Sequence, residues 1–520
     1  MDTQQTNERL HNSLVSWANL KTDGAKIWMK NSLAKCEFDH QKNPNLASKK
    51  IRKFMKVCCD SDISGAINRF SELYNDIYTI TNHSKNNLES EATGELIFLG
   101  ELFQPFNFIP YLLTIWALLR VWIMPISSMI MPILVLILPY FFVRCVIGKS
   151  ISVNTYLEIL KSLAISTIPF GNDKTSQGGG SFMTLISLGF TVFQSVIQSY
   201  WSHKHLFSID QLLIAKAEKI VEFLELYENI YEILKSRAGI EIFRPNWPVN
   251  KHSRRETLAV ALLYPNILKI YVQCVVEVEV WITLAQKVLS GNACIVQWTN
   301  TGLPQFGLIG GYDPDVDNLR RVPVNILIRS GDGGSGGSCG ENNHYLLTGP
   351  NRGGKSTALR AISASLYLSH TFGIALGSNC KSSIFKKFHI CLTPDDLPGK
   401  KSRFEREIEF CKDILKPGNN PKIVLIDELF HSTNPPDAEF SSKVFTERLW
   451  RSKNILSIIS THLFEFVESA PSNIGKICCP AEKIITADGK TKLIFSYGLA
   501  EGICRVSSVE SLLRIVRLIE

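Results

Sequence analysis

An α/β carboxyl-terminal half built on a mostly parallel sheet, preceded by a mainly α-helical half with a membrane-inserted segment, is the fold this 520-residue sequence predicts. Three observations predict it. Three short apolar runs, Tyr345 to Leu347, Lys422 to Ile426 and Ile455 to Ser460, end in polar or charged residues, as buried parallel strands do when their carboxyl ends face a ligand crevice. The chain before residue 300 shows helical rather than alternating apolar periodicity. Between Val121 and Val143 there is no charged residue, and about 20 apolar residues suffice to span a bilayer.

The elements follow in chain order. Residues 1–95 read as a helical region with breaks near Asp23-Gly24, Asn43-Pro44 and His83 to Asn87. Lysines and arginines are concentrated between Lys21 and Lys56, a pattern that is most often a solvated face and otherwise meets nucleic acid or an anionic membrane. Phe70-Ser71-Glu72 lies inside Ile67 to Tyr78, which reads as an amphipathic helix and not as an exposed aromatic wedge.

Residues 96–150 hold the hydrophobic block. Leu102 to Leu119 and Val121 to Val143 are both free of charge, with only Arg120 between them and Arg144 after. Two spans would leave both termini on one side; Arg120 is a very short turn, so one kinked span or a re-entrant hairpin stays open, as does burial in a core. Pro125, Pro132 and Pro139 recur every seven residues, on one face of a kinked helix, and membrane helices tolerate this better than soluble ones. Arg144 and Lys149 favour the carboxyl-terminal half on the cytoplasmic side. Thr175 to Ser202 is also uncharged, but reads as a buried or oligomer-facing helix as readily as a span. Residues 151–300 form a lever-like region: Phe207 to Arg237 is an amphipathic helix, Phe243 to Pro248 a break, and Thr257 to Leu289 a second long helix.

Residues 301–520 carry the chemistry. A strand over Tyr345 to Leu347, a turn Gly349-Pro350-Asn351-Arg352-Gly353-Gly354 and a helix from Lys355 complete the spacing G-x-x-x-x-G-K-S. Each residue type has a task in binding ATP. Glycines let backbone N–H groups close on phosphate oxygens, and the helix terminus adds its dipole. Lys355 offers a charge to the β- and γ-phosphates, and the Ser356 hydroxyl a ligand for Mg²⁺. At the end of the second run, Asp427 suits the Mg²⁺ shell and Glu428 suits orienting or deprotonating the attacking water. His462, after the third run, would stand near the γ-phosphate. The stretch Ser330 to Asn343 reads as a flexible surface loop, Asp488-Gly489 as a hairpin turn, and Val509 to Leu518 as a closing helix.

Taken together these residues resemble the ATPase domain of the MutS family. The resemblance rests on Gly349-Pro350-Asn351 with Gly353-Gly354-Lys355-Ser356-Thr357, on Asp427-Glu428-Leu429 with Thr433 and Asp437, and on Thr461-His462. Asp395-Asp396-Leu397 followed by Ser402, Phe404 and Glu407 is similar to the family's signature loop, which implies that Ser402 reaches a nucleotide held by another subunit. Tyr312-x-Pro314 and Val322-Pro323-x-Asn325 resemble the entry strand and its adenine-side loop, and Tyr497 to Ser508 the closing segment. The departures are Arg352 in place of a usual methionine, Phe430-His431-Ser432 in place of a Gly-Arg-Gly-like turn, and Asp313 where a histidine precedes the proline. The expected fold is thus an α/β P-loop (ABC-type) ATPase domain, active at least as a homodimer or hetero-oligomer.

Composition bounds the rest. An excess of 56 basic over 48 acidic residues, net +8, permits an anionic partner without requiring one. Thirteen cysteines form no C-x-x-C pair, which favours reduced thiols and an intracellular setting over a disulfide frame or zinc site. Asp2, Glu8 and Asp23 rule out a signal peptide in the first 30 residues. The function expected is ATP hydrolysis coupled to binding DNA, without mismatch recognition. The alternative is an ATP-switched anchor held to membrane lipid through 102–143. A transporter is disfavoured, since there is no LSGGQ-type signature and too few spans.

Overall fold

The computed structural model describes residues 3–38, 44–82, 94–98, 100–156, 158–159, 180–300, 303–329, 342–392, 403–431, 433–485 and 491–506. Residues 330–341 of the surface loop, 395–402 of the signature loop, the Asp488-Gly489 turn and the closing helix expected from the sequence lie outside these residues, whereas Phe404 and Glu407 lie on the helix Arg403–Ile414. The chain forms two compact units: one of residues 1–67, 230–242 and 273–520, the other of 68–229 and 243–272. These cut across the segments 1–95, 96–150, 151–300 and 301–520, because the first helices pack against the helix Lys355–Phe372 of the carboxyl-terminal half and not apart from it.

In the first unit a six-stranded sheet runs β14 (Ala500–Glu501), β11 (Gly475–Cys478), β5 (His344–Thr348), β10 (Ile455–Ser460), β9 (Lys422–Ile426) and β8 (Lys387–Cys391). All neighbours are parallel except β11 and β14. Strands β5, β9 and β10 are buried along their whole length, which is why their sequences are continuous apolar runs and not alternating ones. On one face Leu346, Val424, Ile426 and Ile459 pack with Phe410, Leu449 and Phe466. These come from α11 (Arg403–Ile414), α12 (Pro435–Leu449) and α13 (Phe464–Ser469). Helix α10 (Lys355–Phe372) is buried on nearly every face. It contacts β9 on one side and α1 (Thr3–Ala18), α2 (Asp23–Phe38) and α3 (Pro44–Phe54) on another. A four-stranded sheet, β2 (Gln297–Trp298), β7 (Asn379–Ser382), β3 (Gln305–Gly311) and β4 (Val324–Arg329), and the antiparallel pairs β1 (Cys294–Ile295) with β6 (Ile374–Ala375) and β12 (Ala481–Ile485) with β13 (Thr491–Phe495) also belong to the unit.

The amino-terminal helices are tied in by polar groups as well. The buried Glu279 carboxylate accepts from the Lys21 and Thr22 amides at 2.7 and 3.1 Å and from the Thr22 hydroxyl at 2.6 Å, capping the start of α2 with a charge its dipole favours. Part of the basic run is consumed here: Lys26 and Lys30 pair with Asp23 and Glu8, and Lys50 with Glu277 while lying 4.7 Å from the Trp281 ring centre.

Three buried histidines of this unit predict acid lability. Burial depresses His11, His344 and His389 from about 6.5 to about 4. The unfolded chain then binds protons more tightly than the folded one, so this stability is complete above pH 6.5 and is lost as pH falls toward 4. Each is worth up to about 3 kcal/mol across that window. The unfolding midpoint in denaturant should fall steeply from pH 7 to 4.5, and His344→Asn should flatten the slope; a flat wild-type profile would refute the assignment.

The second unit contains α4 (Ser61–Asn82) from residue 68 on, where Phe70 is fully buried and lies 5.9 Å from the Phe223 ring. A buried Phe70 has no surface with which to wedge into DNA. The hydrophobic block departs from the two-run reading. Residues 104–108 form a short 3-10 turn, and Ile109 is extended, as a residue before proline prefers. Tyr111 then turns left-handed and a continuous helix runs from Leu112. Helices α5 (Leu112–Leu118) and α6 (Met124–Cys145) are joined by the π-helical turn Leu119–Ile123. Leu102 to Leu119 and Val121 to Val143 are therefore not two helices joined at Arg120. A single residue cannot reverse a helix, and the wider π turn absorbs Arg120 without a break. The lever reading also changes. Helix α7 (Gly180–Ile233) has 54 residues and includes the uncharged stretch before it. The second stretch splits at Tyr264-Pro265 into α8 (Arg254–Leu263) and α9 (Pro265–Leu289), bent by 95°. Proline fits the first turn of a helix but ends the preceding one.

Candidate nucleotide site

The phosphate loop joins β5 to α10. Its backbone is left-handed at Arg352 (φ 66°) and Gly354 (φ 104°), and the Gly353 amide donates to the Pro350 carbonyl at 3.0 Å. A Cβ at Gly353 would stand 2.9 Å from that carbonyl oxygen, and one at Gly349 would stand 3.0 Å from the Cys479 carbonyl oxygen. The loop is thus a cradle in which side chains would occupy the space and the backbone itself is presented.

Lys355 opens α10 and is buried; its Nζ donates to the Gly349 and Pro350 carbonyls at 2.9 and 3.2 Å. Burial pulls its ammonium below the ordinary lysine range, opposed by the carboxylates Asp427 and Glu428. Those acids follow β9, directly beside β5's other neighbour β10. Asp427 is buried, and its Oδ1 accepts from the Ser460 hydroxyl at 2.6 Å; Ser460 Oγ in turn accepts from the Glu428 amide at 2.8 Å. Ser460, which sequence reasoning did not assign, thereby fixes both acids. The signal for it was its place at the end of β10, one residue before Thr461.

Glu428 and Phe430 both have positive φ, 57° and 54°, a conformation that costs a non-glycine residue and clusters at functional sites. His462 Nε2 lies 3.5 Å from Glu428 Oε1 and His431 Nε2 lies 3.7 Å from Oε2, too long for well-formed hydrogen bonds and close enough for charge to act. His462 first, then His431 and Lys355, hold the Glu428 carboxyl below the usual carboxylate range against its partial burial. His431 was read only as a departure in the turn; the fold makes it a second imidazole on the candidate base.

The other residues are placed as follows. Asn351 is exposed at the loop tip, Pro350 is buried, and Ser356 and Thr357 occupy the first turn of α10. Asn325 is on β4, where its Oδ1 accepts from the Gly310 amide at 2.7 Å. Asp313, the substituted residue of the entry motif, is buried and pairs with Arg360 of α10 at 2.7 Å, so the departure ties the entry strand to the phosphate-loop helix. Tyr497 packs over Gly354, its backbone oxygen 3.4 Å from where a Cβ would be. Cys479, beside Gly349, is pushed by burial to about 12 and stays a neutral thiol. Ser402 lies outside the described residues.

This donor set fits MgATP: a backbone cradle, a buried ammonium satisfied only by the loop's own carbonyls among the described residues, a hydroxyl and a buried carboxylate. Residues 345–516 match the family model of MutS domain V, a P-loop ATPase-type domain. Over 190 residues the chain is 28% identical to the DNA mismatch repair protein Msh6 of Gallus gallus, covering 35% of this chain and 14% of the relative. Over 164 residues it is 30% identical to the mitochondrial DNA mismatch repair protein MSH1 of Arabidopsis thaliana, covering 31% and 14%. The chain thus spans about one seventh of the length of each curated relative. Through residues 345–516 the chain is similar to the MutS family.

Proposed function

We propose that this protein is a Mg²⁺-dependent ATP hydrolase working in a dimeric composite site and coupling its nucleotide cycle to DNA. The observation that carries the reading is the convergence of Lys355, Asp427, Glu428 and His462 at the carboxyl ends of adjacent parallel strands, facing the glycine cradle. Gly349, Pro350, Asn351, Gly353 and Gly354 wrap the phosphates with backbone amides, Lys355 binds the β- and γ-phosphate oxygens, and Thr357 extends the cradle. Ser356 and Asp427 would hold the metal, which would supply positive charge against the charge that develops on the transferred phosphate. Glu428, ionised at neutral pH, takes the proton of the attacking water, and His462 orients Glu428 and the γ-phosphate. Asn325 borders the adenine. Ser402 of one subunit completes the site of its neighbour.

DNA as the coupled polymer is supported by the names of the two relatives, both DNA mismatch repair proteins. Buried Phe70 supports binding by charge and shape instead of by a wedge at a mispair. Mixing Lys355→Ala chains with Ser402→Ala chains tests the composite site. A dimer that shares sites retains one intact and one doubly damaged site per mixed pair, so ATPase activity rises above either parent. Activity no higher than the two variants measured separately would sink the shared site. Duplex DNA should be retained with affinity falling by orders of magnitude from 50 to 200 mM salt and without preference for a mispair.

A further inference from the structure

Residues 1–67 belong to the same packed unit as the ATPase sheet, with α1, α2 and α3 against α10. A chain that leaves this unit after residue 67 and re-enters it at residue 230 can pass through a bilayer in between only an even number of times. We propose that it crosses a lipid bilayer twice, through α6 and back through the amino-terminal part of α7, so that both chain ends of the ATPase unit share one side.

Helix α6 has the properties of the first crossing. The helical stretch Leu112–Leu134, which runs through α5 and the π turn into the first half of α6, has mean hydropathy 1.7 and only 17% of its apolar window is buried, where a core helix of a soluble domain would be mostly covered. Ile130, Met131, Ile133, Leu138, Pro139 and Phe141 are all exposed, and at 100° per residue they lie around most of the helix circumference. Such a helix offers no polar face to water. Arg120 and Arg144 bracket the charge-free run, about 36 Å apart at 1.5 Å per residue, which matches the ~30 Å hydrocarbon core with the charges at its edges.

The return crossing comes from α7. From Gly180 to Ser202 there is no Asp, Glu, Lys or Arg, about 34 Å of helix, and Phe190, Phe193, Ile197, Tyr200 and Trp201 are exposed. The two helices meet at matching ends. His203 Nδ1 lies 2.6 Å from the Val121 carbonyl in the π turn, and the Trp122 ring centre is 4.7 Å from that of His203 and 5.8 Å from that of Phe207. The start of one apolar run therefore touches the end of the other, the geometry of an antiparallel hairpin. Trp122, Tyr200 and Trp201 gather at that end, as interfacial aromatic residues do. Arg120 pairs there with Glu95, and Lys204 follows the second run. Basic residues do not choose the compartment: Arg120, Lys204, Lys216 and Lys219 near this end are balanced by Arg144, Lys149, Lys161 and Lys174 in the connecting sequence. Arg144 and Lys149 thus cease to favour a cytoplasmic ATPase once there are two crossings.

The test uses the full chain, with one epitope at the amino terminus, one between Gly148 and Lys149 and one at the carboxyl terminus, in sealed membrane vesicles of expressing cells. The protein should stay in the pellet after alkaline carbonate extraction. External protease should remove both terminal epitopes together and spare the central one, or the reverse in inverted vesicles. Release into the carbonate supernatant overturns bilayer insertion. All three epitopes cleaved from one side overturns the two crossings in favour of a re-entrant hairpin, and terminal epitopes on opposite sides overturns the even count. As a second variant, Leu134→Arg with Leu138→Arg should release a chain that still binds ATP; continued carbonate resistance would show that α6 is not the crossing.

Discussion

Glu428→Gln lowers ATP turnover by about 10²–10⁴-fold, the span that general-base removal covers, with ATP affinity nearly unchanged. The split follows from geometry. Glu428 is partly exposed and faces His462 and His431, whereas the loop carbonyls and the buried ammonium belong to Lys355 and the cradle. The amide keeps the volume and the left-handed backbone, so the Ser460 hydrogen bond to the Glu428 N–H persists. Single-turnover hydrolysis measured beside nucleotide binding checks this. Turnover within a few-fold of wild type would remove Glu428 from the water-activating role. Because the neighbouring imidazoles hold Glu428 below the usual carboxylate range, it remains ionised when the pH is lowered to 5. An inactivation whose midpoint lay at or above pH 5 would then report on groups other than this carboxyl.

Lys355→Ala weakens ATP binding by about 100-fold, since losing one charge-assisted contact to phosphate costs roughly 3 kcal/mol. The substitution also leaves the Gly349 and Pro350 carbonyls without their present donor, so unfolding is monitored in parallel. Lys355→Arg separates the two effects: it keeps the charge, but the guanidinium is too large for the buried position between loop and acids, and binding should still fall. Undiminished crosslinking of labelled ATP to the alanine variant would refute the phosphate assignment.

Much of the carboxyl-terminal α/β half was legible in one dimension because its physics is local. A strand buried on both faces reads as an apolar run, and a phosphate loop needs glycines and a lysine within eight residues. Strands β5, β9 and β10 fall on the runs Tyr345 to Leu347, Lys422 to Ile426 and Ile455 to Ser460, and the acids and His462 stand just past their ends. Charge-free Val121 to Val143 was equally plain, since absence of charge is a property of sequence alone.

What the tertiary structure decided are relations between residues far apart in the chain. That Ser460 holds both Asp427 and the Glu428 amide depends on the pairing of β9 with β10. That Asp313 reaches Arg360, 47 residues on, and that α1 to α3 pack on the phosphate-loop helix about 300 residues away, depends on packing between separate segments. Hydropathy likewise fixed that the block is apolar but not that Arg120 lies in a π turn of a continuous helix, nor that Val121 meets His203. Composition sets which surfaces avoid water; only the folded chain sets which of them meet, because contact is a property of topology.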